Sequence, residues 1–228
     1  MSTLQLIMGF GLAFSLAFAA DAARGQEAKE GEKAGEPKLE EATFGGGCFW
    51  CTEAFFERLP GVKSVVSGYS GGNVPNPTYQ MIGTGLTGHA EVIQITYDPA
   101  VISFDTLLDY FWAAHDPTTV DAQGPDYGPQ YRSIILYHSE EQREAAQKSK
   151  DALNARRAGK SPAVTEIVPF EAFYPAEGHH QDFARKNPGH PYVQTFVVPK
   201  VAKVKAKLKA EAAKKAKDDS AKEEAKSE

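Results

Sequence analysis

Two cysteines in 228 residues, Cys48 and Cys51, stand three apart in the run Gly45-Gly46-Gly47-Cys48-Phe49-Trp50-Cys51. On a helix that spacing puts both thiols on one face, a turn apart and within reach of a disulfide. The three glycines let the backbone leave the preceding Ala42-Thr43-Phe44 strand in an unusual conformation and bring Cys48 to the first turn of the helix. There the unsatisfied N–H groups and the positive end of the helix dipole favour thiolate over thiol, and can pull a cysteine pKa from about 8.5 into the range of about 3.5 to 7.5. Thiol redox chemistry is the leading expectation. A static disulfide is a weaker reading, because a bridge across so short a loop constrains the unfolded chain very little. A zinc site is weaker still. One C-x-x-C pair needs two more ligands, which His179-His180 would have to supply in an open geometry, so no metal is expected.

The elements that must position these thiols alternate between strand and helix signals. Cys48 to Leu59 reads as a helix, with Cys51, Phe55, Phe56 and Leu59 at three- and four-residue spacing before Pro60-Gly61. Val62 to Val66 is a short strand, and Ser67 to Pro77, rich in Gly and Pro, is a long loop. Ala90 to Tyr97 alternates as a strand ending at Asp98-Pro99. Ser103 caps a helix through Trp112 that buries Phe104, Leu107, Leu108 and Phe111. Gln123 to Pro129 is a second Gly/Pro loop, followed by a strand at Tyr131 to Tyr137. Ser139-Glu140-Glu141-Gln142 opens a helix to about Arg157 with a capping box. Ala163 to Val168 is a further strand, and His179 to Lys186 a short helix before Asn187-Pro188-Gly189. This order predicts an α+β two-layer sandwich, a mixed sheet with packed helices and long Gly/Pro-rich loops.

The ends differ from this core. Met1 to Ala20 carry no charged side chain, and Leu4 to Ala19 are apolar; Ala17-Phe18-Ala19 and Ala20-Asp21-Ala22 fit the small-x-small pattern of signal cleavage. Residues 1–22 are therefore read as a signal peptide cut near 19–23, and the protein as exported, periplasmic or secreted, where the two cysteines could pair. The lack of Lys or Arg at the start leaves an uncleaved anchor open. Residues 23–38 read as a flexible linker, 39–199 as the catalytic domain, and 200–228 as a Lys/Ala/Glu-rich solvated tail with little to bury. A hydrophobic fraction of 42% is ordinary, and a net charge of −5 gives no reason to expect nucleic-acid binding.

Taken with Gly88-His89-Ala90-Glu91 and Pro75-Asn76-Pro77-Thr78-Tyr79, the cysteine run resembles peptide methionine sulfoxide reductases of the A type. The resemblance spans roughly residues 40 to 192. It includes Gly68-Tyr69-Ser70-Gly71-Gly72, His115-Asp116-Pro117-Thr118, Gln130-Tyr131-Arg132-Ser133 and His180-Gln181. It implies that Cys48 attacks the sulfoxide sulfur of the S epimer, free or peptide-bound, that Glu91 is the acid, and that Tyr79 and Tyr131 bind the sulfoxide oxygen. Asp126 matches a family position near the site and is expected to orient other groups. No cofactor is implied beyond an external thiol reductant.

The residues make independent sense of those roles. Glu91 shares a strand face with Ile93, Ile95 and Tyr97, so desolvation should keep its carboxyl protonated, as a general acid requires. A sulfoxide is a poor electrophile until its oxygen is hydrogen-bonded, and two tyrosines can serve as an oxyanion hole would. Phe49 and Trp50 could cradle the substrate's methyl group. His89, His115 and His180 are expected in hydrogen-bond networks rather than in chemistry.

Attack would leave Cys48 as a sulfenic acid, which condenses with a nearby thiol, and Cys51 is the only candidate. Here the chain departs from the commoner family pattern, in which glycine follows the Phe-Trp pair and resolving cysteines lie near the C terminus. The expected partners are oxidised methionine and a thioredoxin-like reductant, with the chain acting as a monomer in protein repair. Two other readings stay open: a thioredoxin-like disulfide oxidoreductase, which needs no Glu91, and a non-catalytic module that holds oxidised proteins in the aromatic pocket.

Overall fold

The alternation in β3 (Ala90–Tyr97) governs how the sheet is built. β3 lies between β1 (Glu40–Gly46) and β2 (Val62–Ser70), antiparallel to both. The remaining strands of this sheet are β6 (Ser133–Tyr137), β7 (Glu166–Pro169) and β8 (Phe173–Pro175), giving the order β7-β6-β1-β3-β2-β8. Only β6 and β7 run parallel, and α4 (Glu140–Arg156) supplies the crossover a parallel pair needs. The computed structural model describes residues 38–227. The signal peptide expected over 1–22 and nearly all of the linker expected over 23–38 lie outside the described residues. Among the described residues no helix is long and apolar enough to cross a membrane.

The two faces of the sheet are covered differently. Ile93, Ile95 and Tyr97 join Phe44 and Ile135 under the helices α1 (Phe49–Phe56), α3 (Phe104–Ala114) and α4, forming the main core. Ala90, Val92, Ile134 and Leu136 face the other way, beneath Val168, Phe170 and Phe173 of the β7–β8 segment. The period-two alternation of β3 thus serves two cores at once, and Glu91 falls on the helix-covered side. This is the α+β sandwich with a mixed sheet that the sequence predicts.

Local signals account for the helix boundaries. Ser103 accepts the Thr106 N–H at 3.2 Å and Ser139 accepts the Gln142 N–H at 3.3 Å, fixing the starts of α3 and α4. The reciprocal arm of the expected capping box is displaced by one residue, since Gln142 Oε1 accepts the His138 N–H at 3.0 Å. The helix expected over Cys48 to Leu59 is confined to Phe49–Phe56, and the one expected over His179 to Lys186 to α5 (Phe183–Lys186).

Three sequence expectations are corrected. The loop expected from Ser67 begins only after Ser70, because Tyr69 is fully buried and pairs with Glu91 in the sheet. Gly68 there makes room for the Phe173 ring, which a Cβ would strike, so it is a packing glycine and not a turn residue. A short helix, α2 (Tyr79–Gly83), follows that loop, capped by Thr78, whose hydroxyl accepts the Met81 N–H at 3.4 Å. Finally, the expected solvated tail is α6 (Val198–Ser227), entered through a π-helical turn at Val193–Val197. Its first half docks on the domain: Val204 is fully buried in the main core, Leu208 packs against it, and Tyr110 donates to Glu211 at 2.5 Å. Val201, Val204 and Leu208, at helical spacing, suffice for docking once α1 and α3 offer a surface, which composition alone does not reveal.

Candidate active site

The chain leaves β1 through Gly47, whose φ is +89° and where a Cβ would lie 2.5 Å from Gln123 Cβ, so that no other residue fits without strain. Gly45 and Gly46 remain in the strand, so one glycine and not three makes the corner. Cys48 is the N-cap of α1 in extended conformation, and its side chain caps nothing. It is left free to face the site at 7% exposure. Cys51, one turn on and 1% exposed, lies in the same cluster with Ala54, Val193, Val197, Tyr131 and Tyr192. Both cysteines are free thiols.

Glu91 approaches from the sheet. Its Oε2 accepts the Phe49 N–H, one of the unsatisfied donors at the start of α1, at 3.0 Å. At 2% exposure, burial pushes its pKa up to about 8 against the opposing pull of that hydrogen bond. The carboxyl is therefore protonated at neutral pH. The expectation from strand parity survives folding because Glu91 Cβ points under α1, where water is excluded.

The acidity expected of Cys48 falls on its neighbour instead. Burial, the hydrogen bond to Cys51 and the Glu91 carboxylate raise the Cys48 pKa well above its usual value. Cys51 is lowered to about 7, first by its hydrogen bond with Cys48, then by the Lys200 ammonium and by Tyr192. The helix terminus is present, but burial and the hydrogen bond with Cys51 outweigh its partial charge at the first sulfur.

Tyr79 and Tyr131 arrive on separate elements, Tyr79 as the first residue of α2 and Tyr131 at the end of a 3-10 turn, Pro129–Tyr131. Burial and the nearby charges of Glu91 and Cys48 raise both phenol pKa values, which keeps both as hydrogen-bond donors beside the acid and the thiol. The second Gly/Pro loop folds as a two-residue-per-strand hairpin, β4 (Ala122–Gln123) and β5 (Asp126–Tyr127). It delivers Asp126, whose Oδ2 accepts the Tyr192 hydroxyl at 2.5 Å. Asp126 thus orients Tyr192, whose oxygen lies 3.9 Å from Cys51 Sγ.

Of the two aromatics after Cys48, only Trp50 keeps accessible surface. Phe49 is 1% exposed against Tyr69 and His180, so its contribution at the site is its main-chain N–H on Glu91. The Trp50 ring stacks on Phe183 at 3.6 Å, and its Nε1–H donates to His180 Nδ1 at 3.2 Å. His180 is thereby a partner of Trp50, as His89 is of Val74 O and Gly72 N, and His115 of Phe111 O and Ser133 Oγ. Among the described residues, no group of three or more His, Cys, Asp or Glu side chains is arranged to hold a metal ion.

A buried thiol pair, a protonated carboxyl and two phenols around one point suit reduction of an oxygen-bearing sulfur. A family model described as peptide methionine sulfoxide reductase matches residues 40–213. The chain belongs to that family. It is an enzyme, a thiol-dependent peptide methionine sulfoxide reductase of the A type. The peptide methionine sulfoxide reductase MsrA of Sulfolobus acidocaldarius is 58% identical over 165 residues, 72% of this chain and 93% of the relative. That of Thermus thermophilus is 48% identical over 168 residues, 74% and 94% of the two chains. Among solved structures, reduced Mxr1 from Saccharomyces cerevisiae superposes with a TM-score of 0.63 at 34% identity, covering 67% of this chain and 87% of that one. Methionine sulfoxide reductase A of Corynebacterium diphtheriae gives 0.60 at 37% identity, covering 68% and 77%.

Two residues of this reductase's site escaped the sequence reading. Tyr192 and Lys200 lie on either side of the π-helical turn, far in sequence from the cysteines, and only the docking of that segment on α1 brings them near Cys51. The apolar residues Val193, Val197 and Val201, four apart on one helical face, were the available signal.

Proposed function

We propose that this reductase acts on the S epimer of methionine sulfoxide, free or peptide-bound, by a sulfenic acid mechanism. Cys48 attacks the sulfoxide sulfur, Glu91 gives its proton to the oxygen and regains one from the Cys48 thiol, and Tyr79 and Tyr131 hydrogen-bond that oxygen as charge develops on it. The oxygen passes to Cys48 sulfur as methionine leaves, so the thiol becomes a sulfenic acid while the sulfoxide gains two electrons. The Cys51 thiolate then attacks Cys48 sulfur, expelling water and forming the disulfide. A thioredoxin-like dithiol reduces that bond and leaves oxidised. Trp50 is the aromatic surface for the substrate's methyl, and Asp126 holds Tyr192.

The observation that carries this reading is Glu91, buried on the Phe49 N–H and protonated to about pH 8, next to the thiols. A thiol–disulfide exchanger has no sulfoxide oxygen to protonate and does not require such an acid. The protein is further proposed to be exported, with its signal removed near residues 19–23, and to repair oxidised proteins as a monomer. N-terminal sequencing of the exported chain checks the cut.

The main test offers reduced enzyme the S and R epimers separately. Methionine should form from S alone, and Cys48→Ser should form none. Cys51→Ser should still give one equivalent of methionine, yet show no disulfide and lose multiple turnover with a thioredoxin system. Unimpaired turnover of that variant would remove Cys51 from the mechanism.

A further inference from the structure

Glu177 collects donors from both sides of the site without reaching the reacting atoms. It lies just after β8, in a segment pinned to the sheet. Ala176 N–H donates to Ser67 O at 2.9 Å, and the Gln181 amide spans the Ser67 main chain, accepting its N–H at 3.0 Å and donating to its C=O at 2.8 Å. A carboxylate held this way has a fixed position relative to β2. Its Oε2 accepts the hydroxyl of buried Tyr69 at 2.9 Å, and its Oε1 accepts the Tyr79 main-chain N–H, also at 2.9 Å. The second bond fixes the first residue of α2, the one whose side chain stands at the site.

A second line of contact runs through His180. Its Nδ1 accepts the Trp50 indole N–H, so the neutral ring carries its own proton on Nε2. That nitrogen is buried with no hydrogen-bond partner and lies 3.9 Å from Glu177 Oε2. The His180 ring also rests against Tyr79, with centroids 4.4 Å apart. One carboxylate therefore stands behind both the phenol and the indole.

The geometry points to Glu177 as a positioning residue for sulfoxide reduction, setting the main chain of Tyr79 directly, beside the His180 ring that packs on Tyr79 and holds Trp50. The inference rests on the reading of Tyr79 as a donor to the sulfoxide oxygen. Hydrogen bonds to a carboxylate are stronger than neutral ones, so an isosteric amide, which can keep the Tyr69 hydroxyl only by turning it round to accept, holds the Tyr79 N–H more weakly. Loosening a group that aligns the reacting oxygen lowers the rate of the chemical step more than it weakens substrate binding.

The test is a double-mutant cycle of Glu177→Gln with Tyr79→Phe, read as the single-turnover rate of methionine formation from a peptide sulfoxide. Glu177→Gln alone should slow this step about tenfold with KM within about twofold. In the Tyr79→Phe background it should cost less than about twofold, because its main effect has already been removed. Losses that multiply, or a Glu177→Gln rate within about twofold of the parent, overturn the assignment. A Tyr79→Phe rate equal to the parent instead refutes the reading of Tyr79 itself, an outcome read from a different variant. Should Glu177→Gln fail to fold, Tyr69→Phe, which removes one bond to Glu177 and leaves the carboxylate in place, must show the same loss of effect in the Tyr79→Phe background; a multiplicative loss there also overturns the proposal.

Discussion

The two walls that meet at the cysteines act on protons in opposite directions. The sheet wall, β2 and β3, presents Glu91 beneath a helix and away from water, and it pushes proton affinity up, at Glu91 and at Cys48 alike. The helical wall, from the π-helical turn into α6, brings Tyr192 and Lys200 to Cys51, where they add to the lowering that begins with the Cys48 hydrogen bond. A sulfoxide needs a proton delivered to its oxygen, and a sulfenic acid needs a thiolate to attack it. The wall that supplies the acid is made of a strand whose parity is rigidly set; the wall that adds to the thiolate's stability is made of a segment that docks from 141 residues along the chain, as the separation of Tyr192 from Cys51 shows. The lesson is that the first half of the chemistry is built into local pattern and the second into tertiary packing.

The strongest way to break this contrast is Glu91→Gln. Removal of a general acid should lower the rate of methionine formation by about 10² to 10⁴, measured in single turnover. The parent rate should fall as pH rises through about 8, the range in which Glu91 loses its proton, and the variant should lack that limb. Stability should move the other way. The folded pKa lies above the unfolded value of about 4.3, so the protonated carboxyl's contribution is complete below that pH and is lost progressively up to about 8. Thermal unfolding should show Glu91→Gln gaining on the parent across that window, and no gain would mean that the carboxyl is not buried as a charge-averse group.

On the helical wall, Tyr192→Phe removes the hydroxyl near Cys51 and leaves Asp126 without its partner. Disulfide formation after one turnover should slow about tenfold while methionine formation is nearly unchanged, followed by quenched-flow thiol counting. An equal loss in both steps would mean that the walls do not divide the work. Lys200→Met should have the smallest effect, a few-fold slowing of the same step. Its sharper readout is thiolate absorbance, where the Cys51 titration should move up from about 7.

Much of the site was legible without coordinates because it rests on backbone regularities. The parity of β3 put Glu91 on the buried face, the C-x-x-C spacing put two thiols on one helical turn, and the Ser103 and Ser139 caps marked two helices correctly. Errors arose where a residue's role is set by what packs on it. Gly68 read as a turn and proved to be a seat for Phe173; Phe49 read as pocket lining and proved to be core; the Lys/Ala/Glu-rich tail read as solvated and proved to carry Val204 into the main core.

The sequence by itself determined that the two thiols share a helical turn and that Glu91 lies on the buried face of its strand, since strand and helix periods fix which side chains share a face whatever the surroundings; that they serve one reaction was implied by the family resemblance. Which sulfur is the more acidic was decided only by tertiary structure. Proton affinity depends on burial, hydrogen bonds and nearby charges: the hydrogen bond with Cys48 that lowers Cys51 most is local, but the Lys200 ammonium and the Tyr192 hydroxyl that add to it come from a segment no local period connects to Cys51.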